Sequence, residues 1–401
     1  MTATVSTLSR GRLWTRPFAM LTLAELAYFT AVGVAVFALP LYVTGPLGGD
    51  KAGAGLAFGA FAVSALLLRP YAGRLSDAVG RRPLLVGGAV LAAAALGLTA
   101  TVDSLWAVVA LRLLAGVAEA SFFVAAFAAL ADLAPPERLG EALSYNSLGL
   151  YLGLALGPPL GEMLVETWSF AFAWLGAAVL ALLAAATIAG VGETRTARPT
   201  ATRRRPGRDP LIHRAAIAPS LGFLASLLPI GGLLSLTALH ANDVGLANPS
   251  LPLLLYGLTV VAGRVAFAKV PDRLPPLALG AVALSAIAMG LLVIAVWTTP
   301  VGLLAGTILA GVGITFTTPA FFSAIFAIAT PAERGAASGT ASLCMDVGLG
   351  FGPIGLGLVA QGAGIPVALA AGAGFAALGT AWSWHLHQAA TGRPTRDRVT
   401  S

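Results

Sequence analysis

The sequence predicts an all-α membrane protein whose twelve transmembrane helices form two six-helix, pseudo-symmetric halves. Three observations carry that prediction: an apolar composition, twelve segments of spanning length, and a repeat of rare residues halfway along the chain. Of the 401 residues, 57% are hydrophobic and only 10% are charged, where a soluble globular domain carries about 25% charged. Twelve spans of ~20 residues take up roughly 240 positions, which leaves no length for a separate soluble domain.

The composition also excludes several kinds of chemistry. Lys and Arg outnumber Asp and Glu by 24 to 17, but the excess lies in tails and loops rather than on one face, so nucleic acid is not an expected partner. Every cation except Lys51 and Lys269 is Arg, the bias of a GC-rich genome and a pointer to a bacterial source. The single Cys344 excludes an intramolecular disulfide, and four scattered His leave no zinc or iron–sulfur pattern. No Gly-x-x-x-x-Gly-Lys-Ser/Thr loop is present, so ATP is not the expected energy source. No cofactor, metal or enzymatic nucleophile–base set is expected.

The first span, 17–43, follows Arg10, Arg12 and Arg16 as a signal peptide would. At about 27 residues it exceeds the 7–15 of a signal core, so it reads as a retained helix. The others are expected at 53–72, 84–101, 105–130, 141–164 and 170–191, then at 215–239, 251–270, 274–297, 301–328, 336–360 and 365–386. Cations in short loops stay on the cytoplasmic side. With the N-terminus inside, the basic groups all agree: the N-terminal tail, the loop of Arg74, Arg81 and Arg82, the segment 192–213, the loop of Lys269 and Arg273, and the tail of Arg393, Arg396 and Arg398. The opposite loops hold Lys51 and the acids Asp50, Asp103, Glu166 and Asp243. The expectation is a multi-pass protein of a bacterial inner (plasma) membrane, with both termini cytoplasmic.

Residues 192–213 are Arg- and Pro-rich and too poor in apolar groups to order themselves by burial. As a basic cytoplasmic linker they divide the chain into an N-terminal half, 1–191, and a C-terminal half, 214–401. A shift of 195 residues lays Arg69 on Arg264, Asp77 on Asp272, Gly116 on Gly311, Gly153 on Gly348, and Gly157-Pro158 on Gly352-Pro353. One residue more sets Pro136-Glu137-Arg138 against Ala332-Glu333-Arg334. Chance similarity between apolar helices would match Leu with Ala, not rare charges and Gly-Pro pairs.

The loop after the second span reads G-R-L-S-D-A-V-G-R-R-P, from Gly73 to Pro83. It closely resembles the cytoplasmic loop signature Gly-x-x-x-Asp-x-x-Gly-Arg-Arg/Lys of the major facilitator superfamily of secondary transporters. Gly73 and Gly80 suit a tight turn and close helix approach, and Arg74, Arg81 and Arg82 hold the loop inside. The resemblance implies a conformational latch in which Asp77 meets the start of helix 11, near Gly335 and Ala336, where unpaired N–H groups favour negative charge. The second copy, A-K-V-P-D-R-L-P from Ala268, is degenerate, with Pro275 in place of Gly80, and Asp272 keeps at most a weaker latch. The superfamily's halves are related by an axis along the membrane normal, with the substrate site at the midplane between them.

Two further motifs fall in their expected helices. Helix 4 carries L-R-L-L-A-G-V-A-E-A, resembling the family's Arg-x-x-x-Gly pattern at Arg112 and Gly116. A charge inside a span costs at least ~2.5–3.5 kcal/mol, so Arg112 is expected to face protein or a wet cavity, with Glu119 seven residues on and on the same face. Helix 5 contains G-L-Y-L-G-L-A-L-G-P-P-L-G-E, ending at Glu162. It resembles the Gly-x-x-x-Gly-Pro-x-x-Gly-Gly signature of the family's exporters, particularly its drug:proton antiporters, except that Glu162 replaces the second Gly. Gly149, Gly153, Gly157 and Gly161 leave one helix face bare for close packing, and Pro158 removes one backbone hydrogen bond. A packing face without directional meaning is the plainer alternative.

Glu25, Glu119 and Asp346 are the acids well inside spans. Glu25 and Glu119 lie about 12 and 9 Å from the inner surface at 1.5 Å per residue, and the resemblance places helices 1 and 4 around the N-terminal side of the cavity, where the two could face each other. Asp346 is expected nearer the interface of the halves, as a structural pair or a proton relay. The expected function is proton-coupled efflux of a small amphipathic molecule by a monomer in the lipid bilayer. The rivals are a symporter or uniporter of a sugar or organic acid and, in another class, an intramembrane enzyme or non-transporting scaffold.

Overall fold

The computed structural model describes residues 14–135, 138–194, 212–271, 273–330 and 333–391. Among them lie twelve α-helices: α1 (Arg16–Thr44), α2 (Lys51–Val79), α3 (Arg81–Thr99), α4 (Leu105–Leu133), α5 (Leu139–Thr167), α6 (Phe170–Ala189), α7 (Arg214–Asp243), α8 (Leu251–Ala266), α9 (Pro276–Val296), α10 (Pro300–Ile328), α11 (Arg334–Ala363) and α12 (Ile365–Thr391). The two halves are α1–α6 and α7–α12. Asp272, Pro136, Glu137, Ala332 and most of the basic segment, 195–211, lie outside the described residues.

Several of the helices begin where a polar side chain takes the orphan amides of a first turn. Thr15, Asp50, Ser104 and Thr299 accept from the N–H groups of Phe18, Gly53, Ala107 and Gly302. Eleven of the described helices are long and apolar enough to cross a membrane. The twelfth, α8, is apolar but has only 16 residues; it was expected to reach residue 270 and stops at Ala266, four residues short.

One expectation about α2 needs correction. The helix runs to Val79, not to 72, because nothing breaks it before Gly80, whose φ of +108° is the positive value that glycine tolerates. Gly73, Arg74 and Asp77 are therefore helical residues. Gly73 makes no turn, and a β-carbon added there would have its nearest neighbour, Val124 Cγ1, at 3.9 Å. Of the two motif glycines, Gly80 is the one at a turn.

Within lipid the hydrophobic effect does not drive helices together, so close backbone approach between small residues does. In the N-terminal half α1 packs against α5 and α6, α2 against α4, and α3 against α4 and α6; α7 against α11 and α12, α8 against α10, and α9 against α10 and α12 repeat the pattern. We call the face where α1 begins proximal and the face where α1 ends distal.

The halves meet along two seams, α2–α11 and α5–α8, which the 195-residue shift interchanges. At one level Ala62 of α2 meets Gly350 of α11, where a β-carbon on the glycine would lie 2.7 Å from that of Ala62. The equivalent level of the other seam sets Ala155 against Gly257, with a corresponding 2.5 Å. Nearer the distal face Gly55 meets Gly357, a β-carbon on the first lying 3.2 Å from the α-carbon of the second. At that level of α5–α8, Glu162 accepts hydrogen bonds from the hydroxyl and the N–H of Ser250. At the distal rim Lys51 pairs with Asp243 of α7 at 3.8 Å, and its N–H donates to Gln361 of α11.

Candidate transport site

Deep in the α2–α11 seam, Arg69 of α2 is held from both halves. Its Nη2 lies 3.2 Å from Oε1 of Glu119 on α4, and its Nε lies 2.7 Å from Oδ2 of Asp346 on α11. The Arg69–Asp346 contact is an ion pair without an aligned N–H, while the Glu119 contact is a hydrogen bond. Phe123 lies beneath the guanidinium, its ring centroid 4.9 Å away. All three charged side chains are largely covered, Asp346 most of all at 4% side-chain exposure. Counted along their helices, Arg69, Asp346 and Glu119 are roughly 15, 18 and 21 Å from the proximal ends, near the middle of a ~30 Å hydrocarbon layer.

Sequence reading named Glu119 and Asp346 but not their shared partner. Arg112 and Glu119 were expected on one face of α4; among the described residues no ion pair joins them. Arg112 instead stacks its guanidinium 5.1 Å from the ring of Phe61 on α2. The reason is the α2–α4 crossing. Gly116 admits the Phe61 carbonyl and the Ser64 side chain, and Ser64 Oγ donates to the Leu113 carbonyl at 2.6 Å. That close approach carries Arg69 beside Glu119.

Glu25 is buried in α1, 2% exposed, one turn from Tyr28, whose ring stacks on Phe122 of α4 at 3.9 Å. The glycine face of α5 lies on α1. A β-carbon on Gly33 would lie 2.9 Å from the Gly157 α-carbon and 3.1 Å from Pro158 Cδ, and one on Gly153 would lie 2.8 Å from the Leu26 carbonyl oxygen. Gly149 and Gly161 are looser, 3.3 Å from the Thr22 and Val34 carbonyls.

On the proximal face the loop motif makes several contacts within its own half. Asp77, 75% exposed, pairs with Arg81 at 2.6 Å, and Arg81 also reaches Asp132 at the end of α4 at 3.2 Å. Arg82 donates to the Ala189 carbonyl at the end of α6. Arg74 is exposed. Glu193, read from sequence only as part of the basic segment, accepts from the N–H groups of both Arg81 and Arg82 and so caps α3. Asp77 is thus held by a local ion pair with Arg81.

At the symmetry-related position Arg264 of α8 donates to the Tyr151 hydroxyl of α5 at 3.2 Å and sits 4.5 Å from its ring. Two six-helix halves touching through two equivalent seams, with a charged cluster at mid-depth in one of them, define a membrane transporter. The chain belongs to the Major Facilitator Superfamily, whose model matches residues 21–353. It is 29% identical over 344 residues, 82% of this chain and 86% of the relative, to the uncharacterised MFS-type transporter STM4428 of Salmonella typhimurium. It is 27% identical over 375 residues, 90% of each chain, to the uncharacterised MFS-type transporter YhhS of Escherichia coli. Among solved structures, a bacterial homologue of the human lysosomal transporter Spinster superposes with a TM-score of 0.75 at 16% identity, covering 92% of this chain and 96% of that one. The protein is accordingly a multi-pass membrane transporter of this type.

Proposed function

We propose that the protein is a proton-coupled exporter of a small amphipathic molecule, working by alternating access between residues 1–191 and 214–401. One observation carries the reading: Arg69 bonds simultaneously to a carboxylate of its own half and to one of the other. Separating the halves along α2–α11 must pull Asp346 from Arg69, and an unpaired charge at that depth is costly. A proton on Asp346 removes the charge that must be exposed, while Glu119 keeps Arg69 paired in its own half. The protonation state of Asp346 thereby changes the cost of separating the halves, and this makes the conformational equilibrium sensitive to proton concentration. Glu25 and Arg112 complete the polar lining of the N-terminal side.

The helix-5 glycine pattern favours export over uptake, and the basic proximal loops support a cytoplasmic position for both termini in a bacterial inner membrane. The structure then corresponds to the conformer closed on the outer, distal side. In this reading Asp77 and the start of α11 form the latch of the proximal face. The chain acts as a monomer, since the two halves supply both sides of the site.

The test is ethidium accumulation in inverted vesicles under an imposed proton gradient. Asp346→Asn and Glu119→Gln are each expected to reduce it at least tenfold with normal membrane expression, and Glu25→Gln to reduce it less. Full gradient-driven accumulation by the Asp346→Asn, Glu119→Gln double variant would remove the cluster from the coupling step. Accumulation that ignores the proton gradient in the unaltered protein would favour a uniporter.

A further inference from the structure

A second polar site lies apart from the Arg69 cluster. On the distal face, between the ends of α1, α5 and α7, the halves flank an open pocket of about 510 Å³, within the ~300–1,000 Å³ usual for small-molecule sites. Phe37, Leu41, Phe170 and Leu239 make its walls apolar. Its charges are three carboxylates, Glu162, Glu166 and Asp243, and one ammonium, Lys51. Lys51 is already paired with Asp243, which leaves the two glutamates of α5 without a cation in the lining.

Glu162 is the decisive group. It is more than nine-tenths buried and lines the cavity. One carboxylate oxygen takes both bonds from Ser250, while Oε1 takes no hydrogen bond among the described residues. A covered carboxylate with an unsatisfied oxygen is unfavourable unless a positive charge approaches it. The fold does not require an acid here, because the 195-residue shift puts Gly357 and Gln361 where α5 has Glu162 and Glu166. An inorganic divalent ion would want six or more oxygen ligands. Apolar walls with two phenyl rings suit a cation carried on a hydrophobic body.

We propose that this distal cavity binds a monovalent organic cation, its charge against Glu162 and Glu166 and its hydrophobic body against Phe37 and Phe170. The site is defined by binding, so it holds whichever ion drives transport and whichever way the substrate moves. Tetraphenylphosphonium is the probe and tetraphenylborate, of like shape and opposite charge, its control, both titrated calorimetrically into the purified full-length protein in neutral detergent. The phosphonium is expected to bind and the borate not to. Glu162→Gln should weaken phosphonium binding at least tenfold and Glu166→Gln severalfold, while Lys51→Met, which releases Asp243, should tighten it. Glu166 is exposed at the rim, so its variant carries the test if Glu162→Gln does not fold. Undetectable phosphonium binding, equal borate binding, or phosphonium affinity untouched by Glu166→Gln and Lys51→Met would overturn the proposal. None of those results would bear on the Asp346 coupling step, which is read by flux.

Discussion

The α2–α11 and α5–α8 seams have one geometry and opposite chemistry. Midway along each, an alanine meets a glycine closely enough to bring backbones together, at Ala62–Gly350 and Ala155–Gly257. Proximal to that contact, α2–α11 carries the charged pair Arg69–Asp346 and α5–α8 the neutral partner Tyr151 for Arg264. Distal to it the order reverses: α2–α11 closes through two glycines, α5–α8 through the carboxylate of Glu162 on Ser250. Duplication supplied the shape, and later divergence placed one inter-half acid at mid-depth and one near the distal face, on different seams.

The largest expected effect breaks that contrast at depth. Asp346→Asn leaves Arg69 with one charged partner and should cost about 3 kcal/mol, the lower end for breaking a buried pair, because Glu119 remains. Tyr151→Phe removes a neutral acceptor from the Arg264 guanidinium and should cost about 1.5 kcal/mol, the lower end for a bond to a charged group. Denaturation of the two variants in detergent measures both, and equal losses would mean that the seams differ in name only.

Next comes the shared geometry, which should respond alike on both sides. Gly350→Val and Gly257→Val each insert carbon into a contact that has no space, an overpacking cost of ~1–3 kcal/mol. Both should widen distances between spin labels on the α1–α2 and α7–α8 loops. A response from one seam alone would show that only that seam closes the distal face.

Ser250→Ala is expected to be milder. It removes a hydroxyl donor to a carboxylate but leaves the backbone N–H, a loss of about 1.5 kcal/mol at the lower end for a charged acceptor. The same labels should report a smaller, purely distal widening, with the proton dependence of flux retained; loss of that dependence would place coupling at Glu162.

The smallest effect lies off the seams, at the start of α11. Glu333 accepts from the hydroxyl and N–H of Thr330 and stands 3.8 Å from His213. The Thr330 bonds hold its carboxyl below the usual value of 4.5. The sign follows from linkage: a depressed acid contributes above its unfolded pKa and loses that contribution as pH falls through the lowered folded value. Thr330→Val should return Glu333 toward the ordinary carboxylate range and flatten this part of the stability profile below pH 4.5. An unchanged profile between the two proteins would assign the local order to His213 instead.

Much of the architecture was legible in the residues. Twelve apolar segments, the repeat and the four-residue glycine spacing of α5 are all read directly from residue pattern, and apart from the far ends of α2 and α8 the helices lie close to where the pattern put them. Arg69 was read only as a marker of the repeat, because ending α2 at 72 left it three residues from a loop. With α2 running to Val79 it is ten residues inside, and its depth becomes informative. The arithmetic that aligned Arg69 with Arg264 also aligns Asp346 with Tyr151, which is where the signal lay. Glu162 looked like a defect in an exporter motif, since its partner Ser250 sits in the other half and 88 residues away. Such pairs are invisible to any rule that reads one helix at a time.

The brevity of α8 reaches beyond the protein. Sixteen residues span only ~24 Å at 1.5 Å per residue, about 6 Å less than an average hydrocarbon layer, and mismatch costs fractions of a kcal/mol per Å. That sum is of the same order as a substitution in the seam α8 helps to form. Acyl-chain length is thus a variable acting on the same equilibrium as the side chains, and shortening the lipids by a few carbons should favour the closed α5–α8 contact as a chemical change in the chain would.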